Sequence, residues 1–79
     1  MTDLKGTLAN IARAIVDSPD DVVVTVTEET ETSVSLKLSV ATPDMGKVIG
    51  KHGKIAKAIR QLMKAAANGT GKKVTIDIE

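Results

Sequence analysis

The chain has 79 residues, a net charge of +1, no cysteine and no Phe, Tyr or Trp. Its length confines it to a single domain, residues 1–79, and a chain this short buries only about 60% of the surface it exposes when unfolded, so its core is thin. The missing cysteines exclude disulfides, Cys-ligated zinc and iron–sulfur clusters as staples, and the missing aromatic rings exclude base stacking on an aromatic sheet.

Met1 to Lys5 has no basic flank leading into an apolar core, so no secretory leader is expected. The longest apolar runs span three or four residues, against the roughly 20 needed to cross a bilayer. A soluble, cytoplasmic protein is the expectation.

Leu4, Leu8, Ile11 and Ile15, with Ala12 and Val16 on the shoulder, form one helical stripe, and Thr2 or Asp3 stands where an N-cap is needed. Pro19, within Asp17 to Asp20, ends that helix. Val22 to Thr27 is β-branched throughout, with Val22, Val24 and Val26 on one face. Glu28 to Thr32 reads as a hairpin connection, and Val34, Leu36, Leu38 and Val40 then alternate with polar residues as a half-buried strand. Thr42 or Asp44 can cap the next element, with Pro43 suited to a first helical turn.

Met45 to Ile49 has room for one or two helical turns. A longer helix follows over Lys54 to Ala67, with Ile55, Ile59, Leu62, Met63 and Ala66 inward, and Asn68 to Gly71 as its cap and turn. Val74, Ile76 and Ile78 alternate in a final strand over Lys72 to Glu79. The predicted order is α-β-β-α-α-β: an α+β two-layer sandwich, its three-stranded sheet covered by three helices on one face.

Charge is divided along the chain. Residues 1–44 carry three basic and eight acidic residues, whereas residues 45–76 carry eight basic residues and no acidic one. A purely basic half is what a polyanion-binding surface requires, although a solvated helix face also carries lysines.

Within that half lies Val48, Ile49, Gly50, Lys51, His52, Gly53. Two glycines three apart between a short and a longer helix permit a tight turn at positive φ and close approach of a phosphate backbone. The longer helix then offers its unpaired N–H groups and positive dipole end at the turn. Behind it, Lys54, Lys57, Gln61 and Lys64 form a mostly basic stripe with Arg60 beside it. Two readings are open: glycines that serve only as caps, or a phosphate-binding turn. The apolar lead-in, the basic helix and the element order together favour the second.

Val48 to Gly53 resembles the V-I-G-x-x-G core of KH domains, and α-β-β-α-α-β is the order of their type II form. The wider run Gly46 to Lys54, with Ala56 to Arg60, is similar to small bacterial single-KH proteins of the KhpA family, whose length matches this chain. Where many KH domains carry Ile, three residues after the second glycine, this chain has Ala56, as the KhpA pattern tends to. The resemblance implies an RNA-binding protein that clamps about four single-stranded nucleotides. By residue it implies close backbone approach at Gly50 and Gly53, phosphate contacts at Lys51 and His52, and an apolar groove of Val48, Ile49 and Ile55. Lys47, Lys54, Lys57 and Arg60 complete the candidate set. It further implies a homodimer, or pairing with a larger KhpB (Jag-like) partner, and a role as RNA chaperone or post-transcriptional regulator linked to cell shape.

An enzyme is not expected. His52 is the only histidine, and no carboxylate lies between Met45 and Ile76 to pair with it. A Walker A loop fails on spacing, since Gly69 to Lys72 precedes a strand instead of following one. No cofactor or metal site is expected. A KH-fold dimerisation module with little RNA binding is the alternative, and single-stranded DNA remains an open ligand.

Overall fold

The computed structural model describes residues 3–79; Thr2, one of the two predicted caps, lies outside them. Asp3 does cap. Its carboxylate oxygen accepts the Gly6 N–H at 3.0 Å, and the Thr7 hydroxyl donates to the Asp3 carbonyl at 2.8 Å. The helix it starts, α1 (Leu4–Ile15), buries Leu8 and Ala12 completely. Ile15, predicted on the same stripe, is instead exposed, because it is the last helical residue and the chain turns away after it.

Strands β1 (Val23–Glu29) and β2 (Ser33–Ser39) pair antiparallel, with Val24 opposite Leu38 and Val26 opposite Leu36. β1 runs further than predicted, through Glu29, leaving Thr30 to Thr32 as the connection. There the Thr30 hydroxyl accepts the N–H groups of Thr32 and Ser33. The register shifts between Val26 and Glu28, a bulge that leaves Thr27 unpaired with β2 in register. Beyond it Glu29 stands opposite Val34, and its carboxylate is satisfied by Lys72 at 2.9 Å.

The segment Thr42–Asp44 is a 3-10 turn with Pro43 in its first positions, and α2 (Met45–Ile49) follows directly. Asp44 occupies the N-cap position of α2 but its side chain makes no cap. The carboxylate is 2% exposed and reaches across to the chain after α1, accepting the N–H of Asp17 at 3.3 Å and of Ser18 at 3.0 Å. The capping role predicted for Asp44 is therefore replaced by a tertiary one, because those two amides would otherwise be left without partners.

The long helix α3 (Lys54–Asn68) buries Ala56, Ile59, Met63 and Ala67. Ile55 and Leu62, predicted inward, are exposed, Leu62 at 57%. Apolar residues cover so much of this helix that periodicity alone does not say which part is covered. Packing on α1 and on the last strand selects the arc through Ala56 and Ala67, whose small side chains let the backbones approach. Asn68 to Gly71 forms the cap and turn as expected: Gly69 is the C-cap residue, with right-handed dihedrals, Gly71 has positive φ, and the Thr70 hydroxyl donates to the Ala67 carbonyl at 2.7 Å.

Strand β3 (Lys73–Ile78) lies parallel to β2 on the side away from β1, with Val34 beside Val74 and Leu36 beside Ile76. Parallel pairing needs a crossover, which α2 and α3 supply. The inner faces of the strands meet Leu8, Val48, Ile59 and Met63 in one core, so all three helices cover the same sheet face as expected.

Candidate nucleic-acid interface

Between α2 and α3 the chain turns through Gly50, Lys51, His52 and Gly53, and three of these four have positive φ. Gly50 has φ 75 and ψ 175, a region essentially closed to residues with a Cβ. It is also a contact point: a Cβ there would lie 2.5 Å from Cγ1 of Ile55. Gly53 is left-handed at φ 74 and ψ 15, with open space around it. His52 adopts φ 59 and ψ 25, a strained conformation for a side-chain-bearing residue, of a kind that concentrates at functional sites.

The backbone donors at the turn divide into used and open. The Gly50 N–H bonds to Gly46 O at 2.9 Å, Gly53 N–H to Gly50 O at 3.2 Å, and Lys54 N–H to Lys51 O. The donors left for an anion are the amides of Lys51 and His52 and, in the first turn of α3, those of Ile55 and Ala56, since the Lys54 amide is already used. The glycines thus shape the turn and the residues between them present it, at the positive end of a 15-residue helix.

The remaining predicted residues separate into three groups. Lys51, His52, Lys54 and Lys57 are exposed on the turn and the adjoining helix, and Ile49 and Ile55 are partly exposed beside them, at 38% and 39%. Val48 is not part of that surface. It is fully buried against the core, because it is the inward residue of a five-residue helix, and it anchors α2 instead of lining a groove.

Lys47 and Arg60 are exposed but engaged. The Lys47 ammonium pairs with the Asp17 carboxylate. The hydrogen bond it donates to that carboxylate, with the negative charges of Asp17 and Asp44, outweighs partial desolvation and holds the Lys47 ammonium above its usual range. Arg60 Nε donates to the Ile76 carbonyl at 3.3 Å, which draws the side chain onto β3 and away from the turn.

That bond borders a feature sequence reasoning missed: a shallow cleft of about 250 Å³ between α3 and β3, lined by Arg60, Gln61, Lys64, Val74, Thr75 and Ile76. The basic stripe of α3 runs from the turn to this cleft. β3 alternation gave the inward role of Val74 and Ile76, but nothing local announced that the strand would lie along the polar side of α3.

The family model of the KhpA/KhpB KH domain matches residues 5–78 of the chain. The RNA-binding protein KhpA of Clostridium acetobutylicum is 53% identical over 76 residues, covering 95% of this chain and 99% of that protein. Its namesake from Listeria monocytogenes is 51% identical over 71 residues, 90% of this chain and 92% of the other. The Bacillus subtilis protein of the same name is 46% identical over 80 residues, 99% and 98% of the two chains.

Proposed function

The chain belongs to the KhpA/KhpB KH-domain family, and from that membership and the geometry of the turn we propose that it binds single-stranded RNA. About four nucleotides would span the site, their phosphates seated on the amides of Lys51 and His52 and on the first turn of α3. Lys51, His52, Lys54 and Lys57 add cationic contacts, and Gly50 and Gly53 let the sugar–phosphate chain approach. The strand then has a path along α3 into the cleft beside β3. The observation that carries this reading is the exposed turn itself: a Gly-only backbone conformation packed on Ile55, opening onto a helix in a segment without acidic residues.

Single-stranded binding by four or five phosphate contacts should weaken with salt along a log–log slope of about −3. Fluorescence anisotropy with a labelled RNA decamer of randomised sequence, titrated from low to physiological salt, measures that slope. A flat response would remove the basic half from the interface, and equal affinity for the matching DNA decamer would remove any reading of the 2′-hydroxyl. So few contacts suit a protein that binds many RNAs transiently, as an RNA chaperone or post-transcriptional regulator does, and no catalytic role is assigned.

Self-association is a second part of the proposal, supported by α3. Ile55, Ala58, Leu62 and Ala65 recur at i, i+3, i+7 and i+10 on its outer surface, and Leu62 is the most exposed large apolar side chain among the described residues. A stripe in which large residues alternate with alanines suits close helix-on-helix contact with a second copy, or with a KhpB-type partner. Replacing Leu62 with Lys should shift a concentration-dependent sedimentation profile to monomer while leaving the melting curve of the monomer nearly unchanged. Unchanged sedimentation would place any self-association elsewhere.

A further inference from the structure

We infer that Asp44 is the positioning residue of the phosphate-binding turn, an inference that rests on the RNA-binding reading above. α2 has five residues, far too few to hold a helical conformation or an orientation by itself. Its orientation nevertheless determines where Gly50 begins, since the Gly50 N–H is tied to Gly46 within that helix.

Three ties fasten α2 to the rest of the molecule. Val48 is the apolar one, fully buried in the core. The other two both lead to the same place, the segment just after α1. At the head of α2 the buried Asp44 carboxylate takes the Asp17 N–H on one oxygen and the Ser18 N–H on the other. One turn further on, the Lys47 ammonium takes the Asp17 side chain at the surface. One fully buried apolar side chain holds so short a helix down without fixing its rotation; the polar ties restrict that freedom.

They are unequal. The Lys47–Asp17 pair is solvent-exposed and contributes little in water, whereas Asp44 is charged, buried and satisfied by two backbone donors, so its removal leaves two amides without partners. Asp44 therefore fixes the rotation of α2 and, through it, the direction in which the amides of Lys51 and His52 point. It touches no nucleotide in this arrangement.

The test compares full-length Asp44→Ala and Asp44→Asn with the parent and with Val34→Ala, a core truncation on β2 at the hairpin end. Affinity for the randomised RNA decamer is measured well below every melting temperature, together with the amide resonances of Gly50 and Gly53. Asp44→Ala should weaken binding by at least about five-fold, the equivalent of roughly 1 kcal/mol, and move both glycine resonances. Asp44→Asn, which keeps one acceptor oxygen, should fall between it and the parent, and it carries the test if the alanine variant does not fold. Val34→Ala should lower the melting temperature but leave affinity within about two-fold and both resonances in place. Should an Asp44 variant bind like the parent with unmoved resonances, the residue merely tethers the turn after α1 and the inference is overturned. A parent protein that fails to bind RNA would instead sink the RNA reading, with the resonances still deciding whether Asp44 positions the turn.

Discussion

Replacing Lys51 and His52 together with Asp should abolish detectable RNA binding and leave the fold intact. Both side chains are exposed on the turn and belong to neither apolar stripe, so their replacement removes no core contact and should change stability little. In the complex, however, two carboxylates would stand beside the donors on which the phosphates must sit. Each like-charge encounter in a partly desolvated contact costs on the order of 1–3 kcal/mol. The pair should therefore weaken binding by at least about 30-fold, enough to erase a complex built from few contacts. Lys5→Asp with Arg13→Asp makes nearly the same charge change on α1 and should weaken binding far less. Anisotropy titrations paired with thermal melts separate the outcomes. A loop variant that melts and binds like the parent would leave the turn as a mere helix connection.

Alanine at Gly50 should be much more damaging than alanine at Gly53, although both glycines have positive φ. At Gly53 the added methyl meets nothing within 4 Å, so the penalty is that of a left-handed alanine, about 1 kcal/mol. At Gly50 two costs combine. The backbone sits at φ 75 and ψ 175, a conformation whose occupation by a non-glycine residue costs roughly 1–3 kcal/mol. The methyl would also lie 2.5 Å from Cγ1 and 2.9 Å from Cβ of Ile55. Because that Cβ is fixed to the backbone of α3, changing the Ile55 rotamer does not clear the contact, and overpacking of this kind adds about 1–3 kcal/mol. Gly50→Ala should thus lower the melting temperature by roughly 10 °C or more, and Gly53→Ala by about half that or less. Equal melting shifts would show that α3 moves aside at no cost and that Ile55 does not set the shape of the turn.

Local chemistry accounts for the elements and their order. The alternation of Val34, Leu36 and Leu38, the β-branched run from Val22, and Gly50 and Gly53 between two amphipathic segments are each signals carried within a few residues. They place six elements, the sheet face that is covered and the turn between α2 and α3. The segregation of charge is likewise a property of the chain, and it puts Lys51, His52, Lys54 and Lys57 on the same exposed surface as the turn.

Residues whose role depends on a distant partner were not legible in this way. Asp44 carries a short side chain that caps a helix or binds any nearby amide equally well, and only the return of the chain after α1 brings it the N–H groups of Asp17 and Ser18. Lys47 and Arg60 look like free cations until Asp17 and the Ile76 carbonyl arrive beside them. Leu62 and Ile55 have the hydrophobicity of core residues, yet α3 has more apolar surface than its neighbours cover, and burial goes to the arc that packs most closely on α1 and β3. The cleft beside β3 follows the same rule. A hydrophobic period records that a face prefers to leave water, whereas which part of it does so is settled by the shape of the elements that dock against it.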